Sequence, residues 1–477
     1  MDEHNHNATI ELDREICRQA RLSRDRRFDG EFFLAVSTTG IYCRPICPAR
    51  QPAERNVLYF RHAAQAAQAG FRPCLRCRPE TAPNSPAWLG THTTVSRALD
   101  LIRAGALNGE GSLDTLAARM GIGERYLRKL FQRDLGLSPL EVAQNQRLLL
   151  AKQLLAETTL PLTDVAFAAG FNSVRRFNSA IRDAFDKSPG ELRKNPARVG
   201  EPIEIELHYR PPYDWQGVMG FFCRHAIPGV EQAGPNSYQR NIRVNGQTGH
   251  FSVTPMKNKT ALKLSLSLPA LQPLMPLIAR IRRMFDLDAN PQAIEAALSV
   301  SPILGKLLAA RPGIRAPGAW SAEESAVRAI IGQQVSTAAA CNIGARFARA
   351  CASASASDDS ALTYPRARDI AKLGDDQFPM PASRRDTLRR LGELQSGDSE
   401  EIELDELAAL RGVGPWTTNM AAMRGLGEPD VFPTADLGLI NAWKQLGKDQ
   451  AELKDVQNAW RPWRSYAANL LWRSLSQ

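Results

Sequence analysis

The stretch that decides the fold reads Leu410-Arg411-Gly412-Val413-Gly414-Pro415-Trp416-Thr417. Two glycines flank one small apolar residue, and helical patterns run on both sides, which predicts a helix–hairpin–helix. Glycine lets backbone N–H groups approach an anion closely, and the following helix points its positive dipole end at the same place. A DNA phosphate is the natural anion, so Gly412, Val413, Gly414 and Thr417 are predicted DNA contacts. The alternative is an ordinary glycine-rich connection between two helices.

A second motif, Val431-Phe432-Pro433-Thr434-Ala435-Asp436, follows one helix further along the chain. Asp436 stands after a proline and before the apolar run 437–440. An acid in this place would point back at whatever the hairpin holds. Asp436 is therefore the candidate catalytic residue of this region.

The hairpin and this aspartate together resemble the helix–hairpin–helix DNA glycosylases. The local sequence is similar to that of the 3-methyladenine DNA glycosylase II family. The resemblance runs from about residue 203 to the C-terminus. It is carried as well by the motifs at 211–215, 285–287, 327–336 and 460–467. It implies excision of N-alkylated bases, with Asp436 stabilising positive charge on the sugar or aligning water, by analogy with glycoside hydrolysis.

The same resemblance implies a base pocket. Trp416 and Trp472 match pocket tryptophans of the family and offer faces on which a flipped, cationic base could stack. Two substrate-contacting positions depart from the pattern. Gln334 stands where the type member has a leucine that wedges into DNA, and Met420 replaces a pocket tyrosine. The range of bases is therefore left open.

Two absences bear on the reaction. Helix–hairpin–helix glycosylases that also cut the strand carry a Schiff-base lysine where this chain has Trp416. No cysteine follows Cys351, so the iron–sulfur cluster of the endonuclease III branch is not expected. We predict a monofunctional glycosylase that leaves the abasic site uncut.

Four of the eight cysteines form two close pairs near the N-terminus: Cys43, Cys47, Cys74 and Cys77. In a chain that we expect to be cytoplasmic, such spacing favours a metal over disulfides. Four thiolates suit one tetrahedral Zn²⁺ ion. The spacing alone indicates no more than structural zinc.

The sequence motifs around these cysteines, residues 35–45 and 71–79, resemble those of the N-terminal domain of the Ada adaptive-response regulators. The resemblance implies that Cys43 is also a nucleophile, which irreversibly takes a methyl group from a methylphosphotriester in the DNA backbone. Bound zinc would keep the thiol deprotonated. Methylation would remove one negative charge, so DNA affinity should rise.

Arginines cluster around the same cysteines. All of them are predicted to contact neighbouring phosphates: Arg44, Arg50, Arg72, Arg76 and Arg78. Arg50 matches a DNA-contacting arginine of the Ada family. Zinc centre and arginines together predict a surface that contacts the DNA backbone.

Residues 113–131 and 162–181 repeat one design: a helix, a glycine turn and a second helix, typical of helix-turn-helix motifs. The pair, which ends near Arg193, resembles the AraC-type DNA-binding domain. The resemblance implies transcription activation, with RNA polymerase as a partner. The predicted groove contacts are Arg125, Arg128, Lys129, Arg175, Arg176 and Asn178.

The fold class that follows is multidomain α+β. Residues 204–209 and 262–268 alternate with period two, which predicts an antiparallel sheet. The predicted domains are a zinc α/β domain (1–85), an all-α tandem helix-turn-helix domain (90–195), a β-rich subdomain (203–288) and an all-α helix–hairpin–helix glycosylase domain (289–477). Proline-containing linkers are predicted at 79–86 and 195–202.

Composition agrees with a DNA-binding protein. The chain has 477 residues and a formal net charge of +10, and a basic balance favours nucleic acid as a partner. No run approaches the ~18 apolar residues of a membrane helix. We expect a cytoplasmic, nucleoid-associated monomer on double-stranded DNA. A rival interpretation is a transcription regulator with an inactive glycosylase module, and a third is a glycosylase with extra DNA-binding arms around purely structural zinc.

Overall fold

The structure, a computed structural model, describes residues 13–74, 76, 77, 79, 93–109, 111–196, 198, 200–244, 246–268, 273–354, 361–395, 397 and 400–475. Most of the predicted linker at 79–86, and the predicted boundary between 85 and 90, lie outside these residues. The described chain forms two compact units. One holds residues 1–156 and 162–196, and the other holds 157–161 and 197–477.

The first unit begins with a small sheet. Its strands are β1 (Phe33–Val36), β2 (Ile41–Cys43), β3 (Val57–Phe60) and β4 (Arg72–Pro73), in the order β3-β1-β2-β4. The β1–β2 hairpin turns at residues 37–40, where Gly40 has a φ of +65°, as the Thr39-Gly40 pair predicts. The pairing of β2 with β4 is parallel, so the two segments that carry the cysteine pairs lie side by side.

Helices make up the rest of the first unit. They are α1 (Arg14–Ser23), α2 (Ala63–Gln68), α3 (Thr93–Arg103), α4 (Leu113–Arg119), α5 (Glu124–Leu135), α6 (Pro139–Glu157), α7 (Leu162–Ala168), α8 (Val174–Phe185) and α9 (Pro189–Leu192). The pairs α4–α5 and α7–α8 are the two predicted helix-turn-helix motifs. Gly121 and Gly170 supply the left-handed residues of their turns, with φ of +68° and +87°.

The small sheet of the first unit packs directly on the long helix α6. Leu149 joins the apolar cluster of Phe33 and Tyr42. The buried Lys152 ammonium donates to the carbonyl of Cys74 at 2.9 Å. This apolar cluster is separate from the one formed by the first helix-turn-helix motif, and both belong to one compact unit.

The second unit opens with a five-stranded antiparallel sheet in the order β5-β9-β8-β7-β6. Its strands are β5 (Ile203–His208), β6 (Glu231–Gly234), β7 (Ser237–Val244), β8 (Gln247–Pro255) and β9 (Ala261–Ser267). Strand β5 is buried at alternate positions, as its period-two pattern predicts. The helix α10 (Trp215–His225) is inserted between β5 and β6.

The remaining elements described after β9 are helices, which confirms the all-α expectation for this region. They are α11 (Leu274–Met284), α12 (Pro291–Leu298), α13 (Pro302–Ala310), α14 (Ala322–Gly332), α15 (Thr337–Ala354), α16 (Ala367–Ala371), α17 (Ala382–Leu394), α18 (Leu404–Ala409), α19 (Pro415–Met420), a π-helical turn (Ala421–Leu426), α20 (Leu437–Gln445), α21 (Gln450–Val456) and α22 (Arg464–Ser474).

A buried ion network holds the sheet to the helices. Arg240 of β7 donates to Glu231 at 2.8 Å and to Glu324 of α14 at 3.0 Å. Arg328, one turn further along α14, donates to the same two carboxylates, each at 2.8 Å. Burial opposes ionisation, but the two arginines lower the pKa of Glu231 to about 2. The network fixes α14, which leads into the loop beside the hairpin.

Among the described residues, no helix is long and apolar enough to cross a membrane.

Candidate functional site

The four predicted zinc ligands come together. The sulfur atoms of Cys43, Cys47, Cys74 and Cys77 all lie within 4.8 Å of one another, and all four residues are buried. Cys43 ends β2 and Cys47 follows a turn in which its N–H donates to the Arg44 carbonyl at 3.1 Å. Cys74 follows β4, where its N–H donates to Tyr42 at 2.9 Å. The parallel β2–β4 pairing therefore positions both halves of the cluster.

The donor set fits one Zn²⁺ ion. Backbone N–H groups point at the sulfurs, from Arg44 to Cys77 at 3.3 Å and from Arg76 to Cys74 at 3.4 Å. Burial raises the pKa of the Cys77 thiol well above its ordinary value. Four thiolates this close and this buried need a compensating cation. A single Zn²⁺ ion held by these four residues would supply it.

The arginines near the cluster divide into two kinds. Arg44 is only 2% exposed, and its guanidinium pairs with the buried carboxylate of Asp29. Its predicted contact with phosphate is wrong, because the side chain braces the cluster from inside. Arg72 pairs with Asp186, beyond the end of α8. Arg50 and Arg76 are exposed, so they stay predicted DNA contacts, and Arg78 lies outside the described residues.

The six predicted groove contacts lie on outward faces of α5 and α8. Arg125, Arg128, Lys129, Arg175 and Arg176 are exposed and Asn178 is half-buried. The opposite faces bury Leu127 and Phe131 in α5, and Phe177 and Ile181 in α8. Arg128 pairs with Glu124 one turn earlier. The placement suits entry of both helices into a groove, and the contacts themselves stay predictions.

The hairpin has the backbone that its glycines predict. Gly412 has a φ of +95°, and a Cβ there would lie 2.0 Å from the Thr387 hydroxyl oxygen, so only glycine fits. Gly414 is the N-cap of α19, and Pro415 takes the first helical position. The first-turn N–H groups of a helix have no intrahelical partner. They are the groups that would face a phosphate.

Thr417 lies differently from its prediction. Its side chain is 1% exposed, and its hydroxyl accepts a hydrogen bond from Gln333 at 3.1 Å. The same Gln333 amide donates to the Gly412 carbonyl at 3.2 Å. Gln333 thus ties the loop after α14 to the hairpin. Any DNA contact at Thr417 is left to its backbone.

Asp436 is held by three N–H donors. Its Oδ1 accepts from the Leu439 N–H at 2.9 Å as the N-cap of α20, and from the Trp472 indole at 2.8 Å. Its Oδ2 accepts from the Trp416 indole at 2.8 Å. Each carboxylate oxygen has about two acceptor positions. One position, on Oδ2, is therefore left for water or substrate.

Gly438 makes this arrangement possible. A Cβ there would lie 2.9 Å from Asp436 Oδ1 and 3.1 Å from Trp472 Nε1. Either the carboxylate or the indole would have to move. The sequence shows only a glycine near the start of a helix, a common occurrence, so nothing in it signals this role.

Gly438→Ala should lower the rate of base release by about tenfold, because small misplacements of a reacting group are costly. Thermal stability should change little, since alanine favours a helix over glycine by about 1 kcal/mol. Single-turnover release from methylated DNA measures the effect. Gly220→Ala is the control, because its Cβ would meet nothing closer than 3.6 Å. Equal rates for the two variants would contradict the expectation.

Arg424, absent from our sequence prediction, lies next to these groups. It is 6% exposed and belongs to the π-helical turn after α19. Its guanidinium carbon lies 5.1 Å from the Trp472 ring centroid and 4.4 Å from the Phe221 ring centroid. One face of Trp472 is therefore covered by Arg424.

Gln334 and Met420 are the two predicted substrate contacts that differ from the glycosylase family pattern. Gln334 is exposed and has a φ of +57°, in the left-handed region that few residues other than glycine adopt. Met420 ends α19 half-buried, and its carbonyl accepts from the Ser325 hydroxyl at 3.0 Å. Trp215 packs flat on Phe285, with the ring planes 8° apart. The two ring centroids lie 6.3 Å apart, and Trp215 is half-buried, so its place as a further stacking face for a base stays a prediction.

Fold and site together define a protein that acts on DNA through two units. One carries a four-cysteine zinc centre beside tandem helix-turn-helix motifs, and the other carries a helix–hairpin–helix with an aspartate held by two indoles. Three family profiles match the chain: the metal binding domain of Ada at residues 16–80, a helix-turn-helix domain at 116–195, and the AlkA N-terminal domain at 204–321.

Similar proteins agree with this division. The probable bifunctional transcriptional activator/DNA repair enzyme AlkA of Mycobacterium tuberculosis is 40% identical over 482 residues, which cover 97% of each chain. DNA-3-methyladenine glycosylase 2 of Escherichia coli is 32% identical, over 56% of this chain and 95% of its own. The bifunctional transcriptional activator/DNA repair enzyme Ada of Escherichia coli is 36% identical, over 39% of this chain and 50% of its own.

The chain belongs to the family of bifunctional transcriptional activators and DNA repair enzymes that join Ada-type and AlkA-type parts. The predicted resemblances to Ada-type regulators and to the 3-methyladenine DNA glycosylase II family are thereby confirmed, and the helix-turn-helix region matches a helix-turn-helix family. The comparisons favour a bifunctional activator and repair enzyme over a regulator with an inactive module.

Proposed function

We propose that the second unit excises N-alkylated bases of the 3-methyladenine type from DNA, with Asp436 as the catalytic carboxylate. The observation that carries the proposal is the pair of 2.8 Å hydrogen bonds from Trp416 and Trp472 to the two oxygens of Asp436. They fix the carboxylate in one orientation before substrate arrives. Preorganised charge of this kind is the main source of catalysis in many enzymes.

The chemistry follows from the state of the damaged base. The base must leave the duplex before its glycosidic bond can be reached. An N-alkylated purine is already cationic, so its C1′–N bond breaks with the electron pair going to the base, and no acid is required. Positive charge then develops on the sugar. Asp436 stabilises it and directs water to C1′ through the open position on Oδ2.

Trp416 and Trp472 would also form walls of the pocket that receives the base. A cationic base is attracted to the face of an indole, and the Trp416 and Trp472 indoles both donate to Asp436. Met420 and Gln334 would set the range of bases and the wedge into the duplex. Because Trp416 occupies the place of the lyase lysine, the strand stays intact and the product is an abasic site.

We propose further that Cys43 accepts a methyl group from a DNA methylphosphotriester. The sulfur attacks the methyl carbon, an S–C bond forms, the C–O bond breaks, and the electron pair stays on the phosphodiester oxygen. Zn²⁺, when bound, supplies the thiolate form of the sulfur. The four cysteines are between 6% and 8% exposed, so burial does not select among them. The choice of Cys43 rests on the Ada-type motif.

The DNA contacts complete the proposal. Arg50 would contact backbone phosphate beside Cys43, while α5 and α8 would enter the groove of a promoter. The hairpin residues Gly412, Val413 and Gly414 would hold the phosphate backbone near a damaged base. RNA polymerase as partner, a monomeric state and a cytoplasmic, nucleoid-associated location belong to the same proposal.

One assay tests both activities together. The purified full chain is incubated with methylated duplex DNA. Released bases are then separated and identified, and the masses of the cysteine-containing peptides are measured by mass spectrometry. We expect free 3-methyladenine and one Cys43 peptide heavier by a methyl group. Base release without cysteine methylation would leave a glycosylase with structural zinc. Methylation without base release would favour the regulator alone.

Methylation of Cys43 should tighten specific DNA binding by tenfold or more. Four thiolates around one Zn²⁺ carry a net charge of about −2, and methylation removes one negative charge. At an effective dielectric of ~20, unit charges ~8 Å apart interact by about 2 kcal/mol, an effect that added salt reduces. Titration of a responsive promoter with methylated and unmethylated protein at matched salt measures the change. Equal affinities would exclude the switch even where transfer occurs.

A further inference from the structure

We propose that Arg424 is a positioning residue, which fixes the Trp472 ring and, through its indole N–H group, the Asp436 carboxylate. The inference rests on the proposed base excision at Asp436. It adds a residue that touches neither the base nor the sugar. Arg424 acts at one remove, by holding the group that holds the carboxylate.

The guanidinium of Arg424 is bound at two fixed points. Its Nη1 donates to the Pro317 carbonyl at 2.6 Å, and its Nη2 donates to Asn469 Oδ1 at 3.0 Å. Asn469 is itself anchored, because its amide donates to the Ser465 carbonyl at 2.7 Å. The Arg424 carbonyl accepts from the Ala319 N–H at 2.7 Å. Both ends of the residue are therefore immobilised.

The Asn469 contact also determines what the guanidinium faces. Asn469 and Trp472 are three residues apart on α22, so their side chains share one face of that helix. An arginine bonded to Asn469 is thereby brought over the Trp472 ring, at 5.1 Å from its centroid. The Phe221 ring, 4.4 Å from the guanidinium carbon, restricts the side chain further. The Trp472 indole then donates to Asp436 at 2.8 Å.

The π-helical turn explains how a charged side chain reaches this place. Residues 421–426 continue α19 with wider turns, and such turns often occur at functional sites. Burial lowers the pKa of Arg424 to about 9, and the nearby Asp436 carboxylate opposes that shift. A buried cation needs strong interactions to be retained. Here the two hydrogen bonds, the two aromatic faces and Asp436 provide them.

Arg424→Met should slow single-turnover base release by about tenfold, with KM changed by less than a factor of three, since misplaced reacting groups affect the transition state most. Arg424→Lys keeps the charge but cannot hold Pro317 and Asn469 together, so it should recover only part of the rate. Arg280→Met is the matched control. Arg280 also lies over a tryptophan, 4.7 Å from the Trp320 centroid, and its loss should leave base release unchanged.

A double-mutant cycle separates positioning from general stability. Trp472→Phe removes the indole N–H group on which the effect of Arg424 depends. If Arg424 acts through Trp472, the double variant should be no slower than Trp472→Phe alone, because coupled residues are not additive. Fully additive losses of rate would overturn the proposal and indicate a structural role.

A readout independent of activity completes the test. Hydrogen exchange of the indole N–H groups is followed by NMR in ¹⁵N-tryptophan-labelled full chain, with Trp472 assigned through Trp472→Phe. Arg424→Met should speed exchange at Trp472 by about tenfold, while Arg280→Met should not. If wild type releases no base but exchange responds, the proposed function fails and the positioning stands. Unchanged exchange at Trp472 would overturn the positioning role.

Discussion

Asp436→Asn is expected to bind alkylated duplex DNA as wild type does and to release base 10²- to 10³-fold more slowly, about the loss typical of removed electrostatic stabilisation. The substitution keeps the size of the side chain and its capacity to cap α20, since asparagine and aspartate are similar N-caps. It removes the negative charge that faces the sugar. It also leaves one indole donor without an acceptor, because an amide has one oxygen where the carboxylate has two.

DNA affinity should survive because the hairpin glycines, and not the carboxylate, contact the phosphate backbone in our proposal. Methyl transfer to Cys43 should continue, since Cys43 belongs to the other unit. Base release and duplex affinity are measured for both proteins at equal concentration. Asp449→Asn is the matched control, because the Asp449 side chain caps the next helix, α21, by accepting from the N–H of Ala451.

Two outcomes would contradict this expectation. Equal base release by wild type and Asp436→Asn would remove Asp436 from the mechanism. Weak DNA binding by Asp436→Asn, with Asp449→Asn unaffected, would mean that the carboxylate shapes the DNA-binding surface.

Cys77→Ala is expected to abolish zinc binding and to unfold the zinc domain. The four cysteines form one core cluster with Leu34, Val36 and Val57, so the metal centre is part of the hydrophobic interior of this small sheet. Structural zinc contributes roughly 10–16 kcal/mol to the folding of comparable domains. Three thiolates cannot retain that stabilisation.

Metal content by elemental analysis and thermal unfolding by circular dichroism measure the effect. Wild type should hold one zinc ion per chain and lose it on unfolding. Cys223→Ala is the control, because Cys223 is exposed and lies in the other unit. Retention of one zinc ion by Cys77→Ala would exclude Cys77 as a ligand. Freshly purified wild type without zinc would reject the whole site.

Local spacing explains why much of the site could be predicted from sequence. The paired cysteines, the hairpin glycines and Asp436 each occupy short motifs whose geometry is set by a few neighbouring residues. The zinc cluster and the left-handed Gly412 are found where those motifs place them. The two helix-turn-helix motifs follow from glycine turns between amphipathic helices in the same way.

Burial and long-range contacts explain what the sequence did not predict. The sequence predicts a surface position for Arg44. Its ion pair with Asp29, on another segment of the chain, instead holds the Arg44 side chain in the protein interior. Thr417 is buried by a loop more than eighty residues earlier in the chain. Arg424 stands in a run of apolar residues and glycine, and this local sequence gives no indication of its contact with the Trp472 ring 48 residues later.

The hydrogen-bond partners of Asp436 bear on how a repair enzyme would distinguish a few damaged purines from many undamaged ones. Undamaged purines vastly outnumber alkylated ones in any genome, so a repair enzyme is judged mainly by what it leaves alone. The three groups bonded to Asp436 are two indoles and a backbone amide, none of which gives up a proton near neutral pH. On the proposed mechanism, these groups do not protonate the leaving base. On that mechanism, intact adenine and guanine would be spared because their glycosidic bonds do not break without protonation, and a lesion would be selected by the weakness of its own glycosidic bond.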